Sequence, residues 1–504
     1  MKSCAEDRRD PSMKNDFENE VKRFAPASVE QMAARREKRV KQQREMLARG
    51  GENRCVVCIG MNIAGPNKRS GLIDAAFLEA VNCFLGEAEL YGAVEANGLE
   101  LRFINENTGI EALIALDGDT KEMKRLCVGI EEKLPLGRLF DIDVIAKNGE
   151  KLGRSEPRKC LICAENASVC ARSRAHSVEE LQKAVQRMLS YHIKRKMALL
   201  AGNALHSEVH ATPKPGLVDE NNQGANPDMS VELFERSADS LGVYFDCLAA
   251  NTIRYCFSEK TEEASKKFLD SLRKAGVDAE KAMLEATGGV NTHRGAVYSL
   301  GLLVCAAAYN LTNGIFGADG SGLHGEPLTG YDFAETCVRT AAELALALGD
   351  NSVPTSNGAR VREKYGVGGP VQQAQEGFPL ALLAKNAKDE YYNRYGQADE
   401  NLAWAYALIS VMAVMDDNNA LKRGGEAGAE FVKNRASELK TLALRVESAE
   451  FEAALLKLDE ELIERNISCG GAADMLALAM FLSETEKHYG RVLAVLTSLD
   501  AHGK

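Results

Sequence analysis

Asp141 and Asp143, two residues apart in GRLFDIDVIAKNG, are the first groups whose type and spacing suit a reaction. The stretch has strand character, and period-two alternation sets both carboxylates on one face with Ile142 on the other. Two hard oxygen ligands side by side suit Mg2+ bridging a triphosphate. A solvated strand edge beside the Lys147–Gly149 turn would use the same residues. Downstream, RKCLICAENASVCARSRAH offers Cys160, Cys163, Cys170 and His176 at zinc-ligand spacing, against the alternative of core thiols.

A second kind of chemistry is written in ATGGVNTHRGAVYSLG, residues 286–301. A helix head carries unpaired N–H groups and the positive end of the macrodipole, and glycine lets an anion approach them. Gly288 and Gly289 would supply that access, Asn291, Thr292 and His293 donors, and Arg294 a fixed charge. A tight turn with an N-cap is the plainer account of the same residues. MDDNNALKRGGEAG and ERNISCGGAADMLALAMF repeat the pattern, and HATPKPGLVDENNQGANPDM and SNGARVREKYG add long polar loops. There is no GxxxxGK[ST] loop, and the GxGxxG match at 320–325 lacks the strand that a dinucleotide fold needs. His206 and His210 stand one helical turn apart without the His-Glu pair of a zinc protease, which makes zinc there an unattractive reading.

The elements that must position these groups fall into two textures. Residues 1–24 read as a disordered tail. From Ser28 a charged helix runs to Gly50–Gly51, followed by CVVCIGMNIAGP as a buried strand and turn. LELRFINENTG, CVGIEEKLPLG and RLFDIDVIAKNGEKLG carry strand-and-turn texture. Beyond Ser177 nearly everything is helical. The expectation is a mixed α/β domain over 25–190 and a large all-α domain over 191–504, joined within a helix near Tyr191.

Composition bounds the function. The 504-residue chain is too long for one ordinary core, and its net charge of −11 argues against nucleic acid or an anionic membrane as partner. Ala296–Leu311 is the nearest approach to a membrane span but is interrupted by Tyr298, Ser299, Tyr309 and Asn310. The charged N-terminal segment has no apolar signal core, so thirteen cysteines point to reduced thiols in a cytoplasmic protein.

ARREKRVKQQREML, MNIAGPNK, GRLFDIDV and the cysteine segment together resemble the apo-citrate lyase phosphoribosyl-dephospho-CoA transferase family. That resemblance implies a nucleotidyltransferase that loads a serine of the acyl-carrier subunit of citrate lyase and releases diphosphate. It makes Asp141 and Asp143 the expected Mg2+ pair and Lys68 and Arg138 expected phosphate contacts. TPKPGLVD, ATGGVNTHRG, SNGARVREKYG, DDNNALKRGG and RNISCGGAADML resemble the triphosphoribosyl-dephospho-CoA synthase family. The implied reaction joins ATP and 3′-dephospho-CoA with loss of adenine. Glu208, Asp219 and Asp228 then become the expected acid–base or metal carboxylates. Lys214, His293, Arg294, Arg360 and Arg423 become expected phosphate contacts, and Asp417 and Asp474 carboxylates of secondary rank. Departures from that family's pattern occur at GGPVQQAQ, DDNN and SCGG. The rival readings are maturation of malonate decarboxylase and a non-catalytic scaffold for the cofactor and its carrier.

Overall fold

The computed structural model describes residues 25–90, 99–163, 165–315, 332–349, 363–396 and 399–490. Helix α1 (Val29–Ala48) starts in a capping box, Ser28 and Gln31 each satisfying the other's backbone N–H. It lies on a four-stranded sheet built from β1 (Arg54–Met61), β2 (Glu100–Glu106), β3 (Gly109–Asp117) and β4 (Phe140–Ile145). The strand order is β2-β3-β1-β4, with every neighbour antiparallel. Central β1 and β3 are buried on both faces, hence their unbroken apolar runs, whereas edge strand β4 alternates. Helices α2 (Gly71–Leu90) and α3 (Thr120–Lys133) complete this half.

The N-terminal half therefore mixes helix and sheet as expected, but it contains no parallel β-α-β crossover among the described residues. One segment departs outright. CVGIEEK, read as strand and turn, is the second half of α3. Met123, Cys127 and Ile130 bury one helical face, and Asp119 caps the N-terminus through the N–H groups of Lys121 and Glu122. The four- and three-residue spacing of its apolar groups is masked in sequence by the Leu134–Gly137 turn that follows.

A short helix, α4 (Ala167–Ser173), precedes α5 (Val178–His210), a 33-residue helix with its own Ser177–Glu180 capping box. At 1.5 Å per residue α5 is roughly 50 Å long, and it runs unbroken through the expected domain join. Beyond it lie α6 (Val231–Ser240), α7 (Gly242–Phe257), α8 (Glu262–Ala286), α9 (Arg294–Asn313), α10 (Phe333–Leu348), α11 (Gly369–Gln375), α12 (Pro379–Tyr395), α13 (Glu400–Met412), α14 (Asn418–Ala443), α15 (Ser448–Glu464) and α16 (Gly470–Tyr489). Helices α9, α13 and α16 are apolar nearly all round because neighbours cover them on every side. Helix α9 is long and apolar enough to cross a membrane, yet 83% of its most apolar window is buried inside the protein. Helix α2 packs on α9 and α16, so one continuous apolar core joins the sheet half to the helical half.

Candidate functional site

The first site lies at the sheet edge. Antiparallel pairing sets Asp141 opposite Gly60 and Asp143 opposite Cys58, which confirms that both carboxylates leave β4 on one face. Beyond β4 the chain turns at 146–149 and comes back alongside, Leu152 donating its N–H to the Val144 carbonyl. This return brings basic groups to the aspartates. Lys151 pairs with Asp143 at 2.6 Å, and the Arg158 guanidinium lies 3.6 Å from Asp141. Arg158 also donates to the Phe140 carbonyl at 2.8 Å and pairs with buried Glu131, which Arg154 meets at 3.5 Å from the other side. Glu131 accepts the Ile142 N–H, so one buried carboxylate fixes both the strand and two arginines. Asp141, Asp143, Lys151, Arg154 and Arg158, together with Lys124, line a cleft of about 410 Å³.

Two carboxylates facing three or four cations in a cleft can hold a metal–polyphosphate and neutralise its charge. Arg138, on a single 3-10 turn before β4, belongs to the same basic group: burial, then Arg158 and Arg154, lower its pKa. Lys68 does not line the cleft. Its ammonium donates to the Ile63 carbonyl at 2.6 Å, and burial, with Arg35 and Arg36 nearby, depresses its pKa. Lys151, Arg154 and Arg158 were not singled out from sequence, although GEKLGRSEPRK places them within seventeen residues of Asp141. Next to the cleft, the ligand atoms of Cys160, Cys163, Cys170 and His176 all lie within 4.8 Å of one another.

The second site is a cluster of buried polar groups inside the helical half. Glu208, near the end of α5, is buried and takes the Lys214 ammonium at 2.6 Å; Lys214 is itself among the most buried side chains. The loop after α5 is folded around Asp219, whose carboxylate accepts the N–H groups of Lys214, Asn221 and Asn222. Asp459 on α15 holds the same loop through the Gly216 N–H and the Asn222 amide. Asp417 caps α14 through the Asn419 and Ala420 N–H groups, and its second oxygen takes the Ala472 N–H at the head of α16. Asp474, in the first turns of α16, sets its carboxylate against Gly295 and towards the Ala296 N–H at the head of α9. Three helix N-termini thus converge on two aspartates, and their dipoles favour negative charge there.

Burial nevertheless dominates. It pushes Asp474 well above the usual carboxylate range, with Glu208 and Asp417 adding repulsion, and it raises Asp417 despite its N–H partners. A carboxyl that keeps its proton beside a lysine-paired carboxylate is an acid and a base in one cluster. His293 adds a buried ring. Thr292 donates to the Ser237 hydroxyl, which lies 2.7 Å from His293 Nδ1. The other ring nitrogen, Nε2, is buried and unpartnered in the protein. Burial, followed by Lys214 and His206, drives the His293 pKa down to about 3, so the ring stays neutral.

Other expected residues sit elsewhere. Gly288 and Gly289 do not open α9; they end α8. Both have positive φ (64° and 93°), and the Gly289 N–H closes on the Leu284 carbonyl, which is a helix C-terminal turn. Arg294 turns out to solvent and pairs with Glu280 on α8 at 3.0 Å, while Asn291 caps its N–H. Asp228 is exposed. Arg423 lies at the rim, its guanidinium donating to the Ala225 carbonyl and the Asn226 side chain. Arg360 lies outside the described residues. His206 and His210 face α6, where Asp239 and Glu235 meet their ring nitrogens, and Glu220 of the preceding loop meets His210 Nδ1. In this half, sequence reasoning missed Asp459 and the part played by Gly295, where a Cβ would overlap Asp474 Oδ2.

Comparison with known proteins matches both halves. Residues 27–192 match the family model described as apo-citrate lyase phosphoribosyl-dephospho-CoA transferase, and residues 194–492 match ATP:dephospho-CoA triphosphoribosyl transferase. Protein CitXG of Haemophilus influenzae is 32% identical over 90% of this chain and 95% of its own length. Protein CitXG of Leuconostoc mesenteroides subsp. cremoris is 31% identical over 90% and 96%. The 2-(5″-triphosphoribosyl)-3′-dephosphocoenzyme-A synthase of Haemophilus ducreyi is 34% identical over 64% of this chain and 98% of its own.

Proposed function

The chain belongs to the family that fuses the apo-citrate lyase phosphoribosyl-dephospho-CoA transferase to the ATP:dephospho-CoA triphosphoribosyl transferase. From that premise we propose that it makes and installs the prosthetic group of citrate lyase in two consecutive steps. The observation that carries this reading is two chemically different sites on one chain, one within each matched segment.

In the first step the 2′-hydroxyl of 3′-dephospho-CoA attacks C1 of the ATP ribose. A C–O bond forms, the bond from C1 to adenine N9 breaks, and triphosphoribosyl-dephospho-CoA and adenine result. The buried polar cluster of the helical half (191–504) supplies the proton traffic. Glu208, paired with Lys214, takes the hydroxyl proton, and protonated Asp474 donates to the departing base. His293 Nε2 hydrogen-bonds the bound nucleotide. Arg423, at the rim, and Arg360 are its phosphate contacts, and Asp219 and Asp417 hold the loop and helix heads in place.

In the second step, within 25–190, a serine hydroxyl of the acyl-carrier subunit attacks the phosphorus nearest the added ribose, and diphosphate leaves. Lys151, Arg154, Arg158 and Arg138 neutralise the charge on the transferred and leaving phosphates. Asp141 and Asp143, hard-oxygen donors on one face of the cleft, fit Mg2+, which when bound polarises the transferred phosphoryl oxygen. Incubation with ATP, 3′-dephospho-CoA and apo-carrier tests the proposal. Free adenine and a carrier heavier by one phosphoribosyl-dephospho-CoA group are expected. Failure to release adenine would remove the first step, and loading of only a malonate decarboxylase carrier would redirect the second.

A further inference from the structure

We propose that Cys160, Cys163, Cys170 and His176 hold one tetrahedral Zn2+, and that this ion fixes Arg158 in the cleft and anchors the start of α5. The four ligand atoms cluster closely enough for one ion to draw them together, and two of their separations are already near tetrahedral values. Zinc–sulfur bonds of about 2.3 Å place neighbouring ligand atoms roughly 3.5–3.8 Å apart. Cys163 Sγ lies 3.4 Å from Cys170 Sγ and 3.3 Å from His176 Nε2, and all four ligand atoms fall within 4.8 Å of one another. A sulfur–sulfur separation of 3.4 Å is no disulfide.

The backbone is shaped for the same purpose. Cys160 donates its N–H to the Glu165 carbonyl and Ala167 to the Arg158 carbonyl, closing a short hairpin. Inside it the Ile162 N–H points at Cys160 Sγ at 3.5 Å. Helix α4 then brings in Cys170, and Arg174, in a left-handed conformation, turns the chain to His176.

A packing argument reaches the same place independently. Between Ser155 and Ser177, Cys170 is the only buried side chain among the described residues. Some twenty residues without a core need a staple to hold one conformation. Three thiolates, a neutral imidazole and Zn2+ carry a net charge of −1, which Arg158, Lys159, Arg172 and Arg174 surround in sequence. Binding releases the three thiol protons to solvent. Sulfur-rich tetrahedral donors select zinc over magnesium. The ion's place explains its use. Arg158 precedes Cys160 by two residues, its carbonyl is held in the hairpin, and its guanidinium spans Glu131, Asp141 and the Phe140 carbonyl. His176 immediately precedes Ser177, the N-cap of α5.

Elemental analysis of the full chain, purified from defined medium without added zinc or chelator, should find about one equivalent of zinc. Cys163→Ser and Cys170→Ser should each lose most of it, whereas Cys83→Ser, remote from the cluster, should keep it. Cobalt reconstitution should give the absorption of a tetrahedral thiolate site. Wild-type protein with less than roughly a tenth of an equivalent overturns the site without reference to any variant. Hydrogen exchange of the wild type before and after chelation reads the second half of the proposal. Protection across 156–182 should fall while that of β1 and α9 stays. Unchanged protection across 156–182 would refute the anchoring role.

Discussion

Gly295→Ala separates a catalytic cluster from an ordinary helix junction. Gly295 lies in the first turn of α9, and the added Cβ would overlap Asp474 Oδ2. The carboxyl is the free end of a side chain, so it can swing away and the helices need not part. In stability the effects oppose each other. Alanine gains up to about 1 kcal/mol over glycine in a helix. Moving the carboxylate away from the Ala296 N–H costs at most about 0.5–1.5 kcal/mol. The net is close to zero, and the urea midpoint should barely move. Catalysis has no such offset. A displaced general acid forfeits on the order of 10²–10⁴ in rate. Adenine release from ATP and 3′-dephospho-CoA should fall at least about a hundredfold, chiefly in kcat. Carrier loading from preformed triphosphoribosyl-dephospho-CoA should continue. The assay is quantitation of adenine in initial-rate reactions, alongside a denaturation curve. A stable Gly295→Ala protein that releases adenine normally would refute the role given to Asp474.

The other expectations are more direct. Asp141→Asn or Asp143→Asn should reduce carrier modification by roughly a hundredfold or more, since a metal ligand supplies several kcal/mol, while adenine release persists; carrier mass spectrometry reads both. Lys214→Met leaves Glu208 buried without its cation and should cost about 3–5 kcal/mol of stability, most of it recovered in Lys214→Met/Glu208→Gln; denaturation midpoints decide. His293 makes stability depend on pH: its folded pKa lies near 3 against 6.5 unfolded, so the unfolded chain binds the extra proton between them. Its contribution is therefore full above pH 6.5 and fades as pH falls towards 3, by about 1.4 kcal/mol per pH unit and about 2 kcal/mol by pH 5. His293→Asn should flatten that acid slope in urea titrations; an unaltered slope would assign it to other groups.

Local pattern carried a good part of this protein. The paired aspartates share a face because side chains alternate along any strand, and α1 and α5 begin where Ser28 and Ser177 meet a Gln or Glu three residues on. The cysteine and histidine spacing likewise announced a cluster before any coordinates. These are properties of a few consecutive residues, and neighbours along the chain settle them. What the sequence left open depends on groups far apart in it. Glycines 288 and 289 stand beside the head of one helix, but the N–H they orient closes the helix before. Which end a glycine serves is decided by hydrogen bonds that close in three dimensions. Arg294 follows from the same error, since with α8 packed beside it the guanidinium finds Glu280. The buried polar cluster is the larger case. Glu208, Asp417 and Asp474 come from three helices spread over more than 260 residues, and only the packing of α5, α9, α14 and α16 sets the first two close enough to raise the pKa of Asp474. Electrostatic coupling falls with distance through space, and distance along the chain carries no record of it.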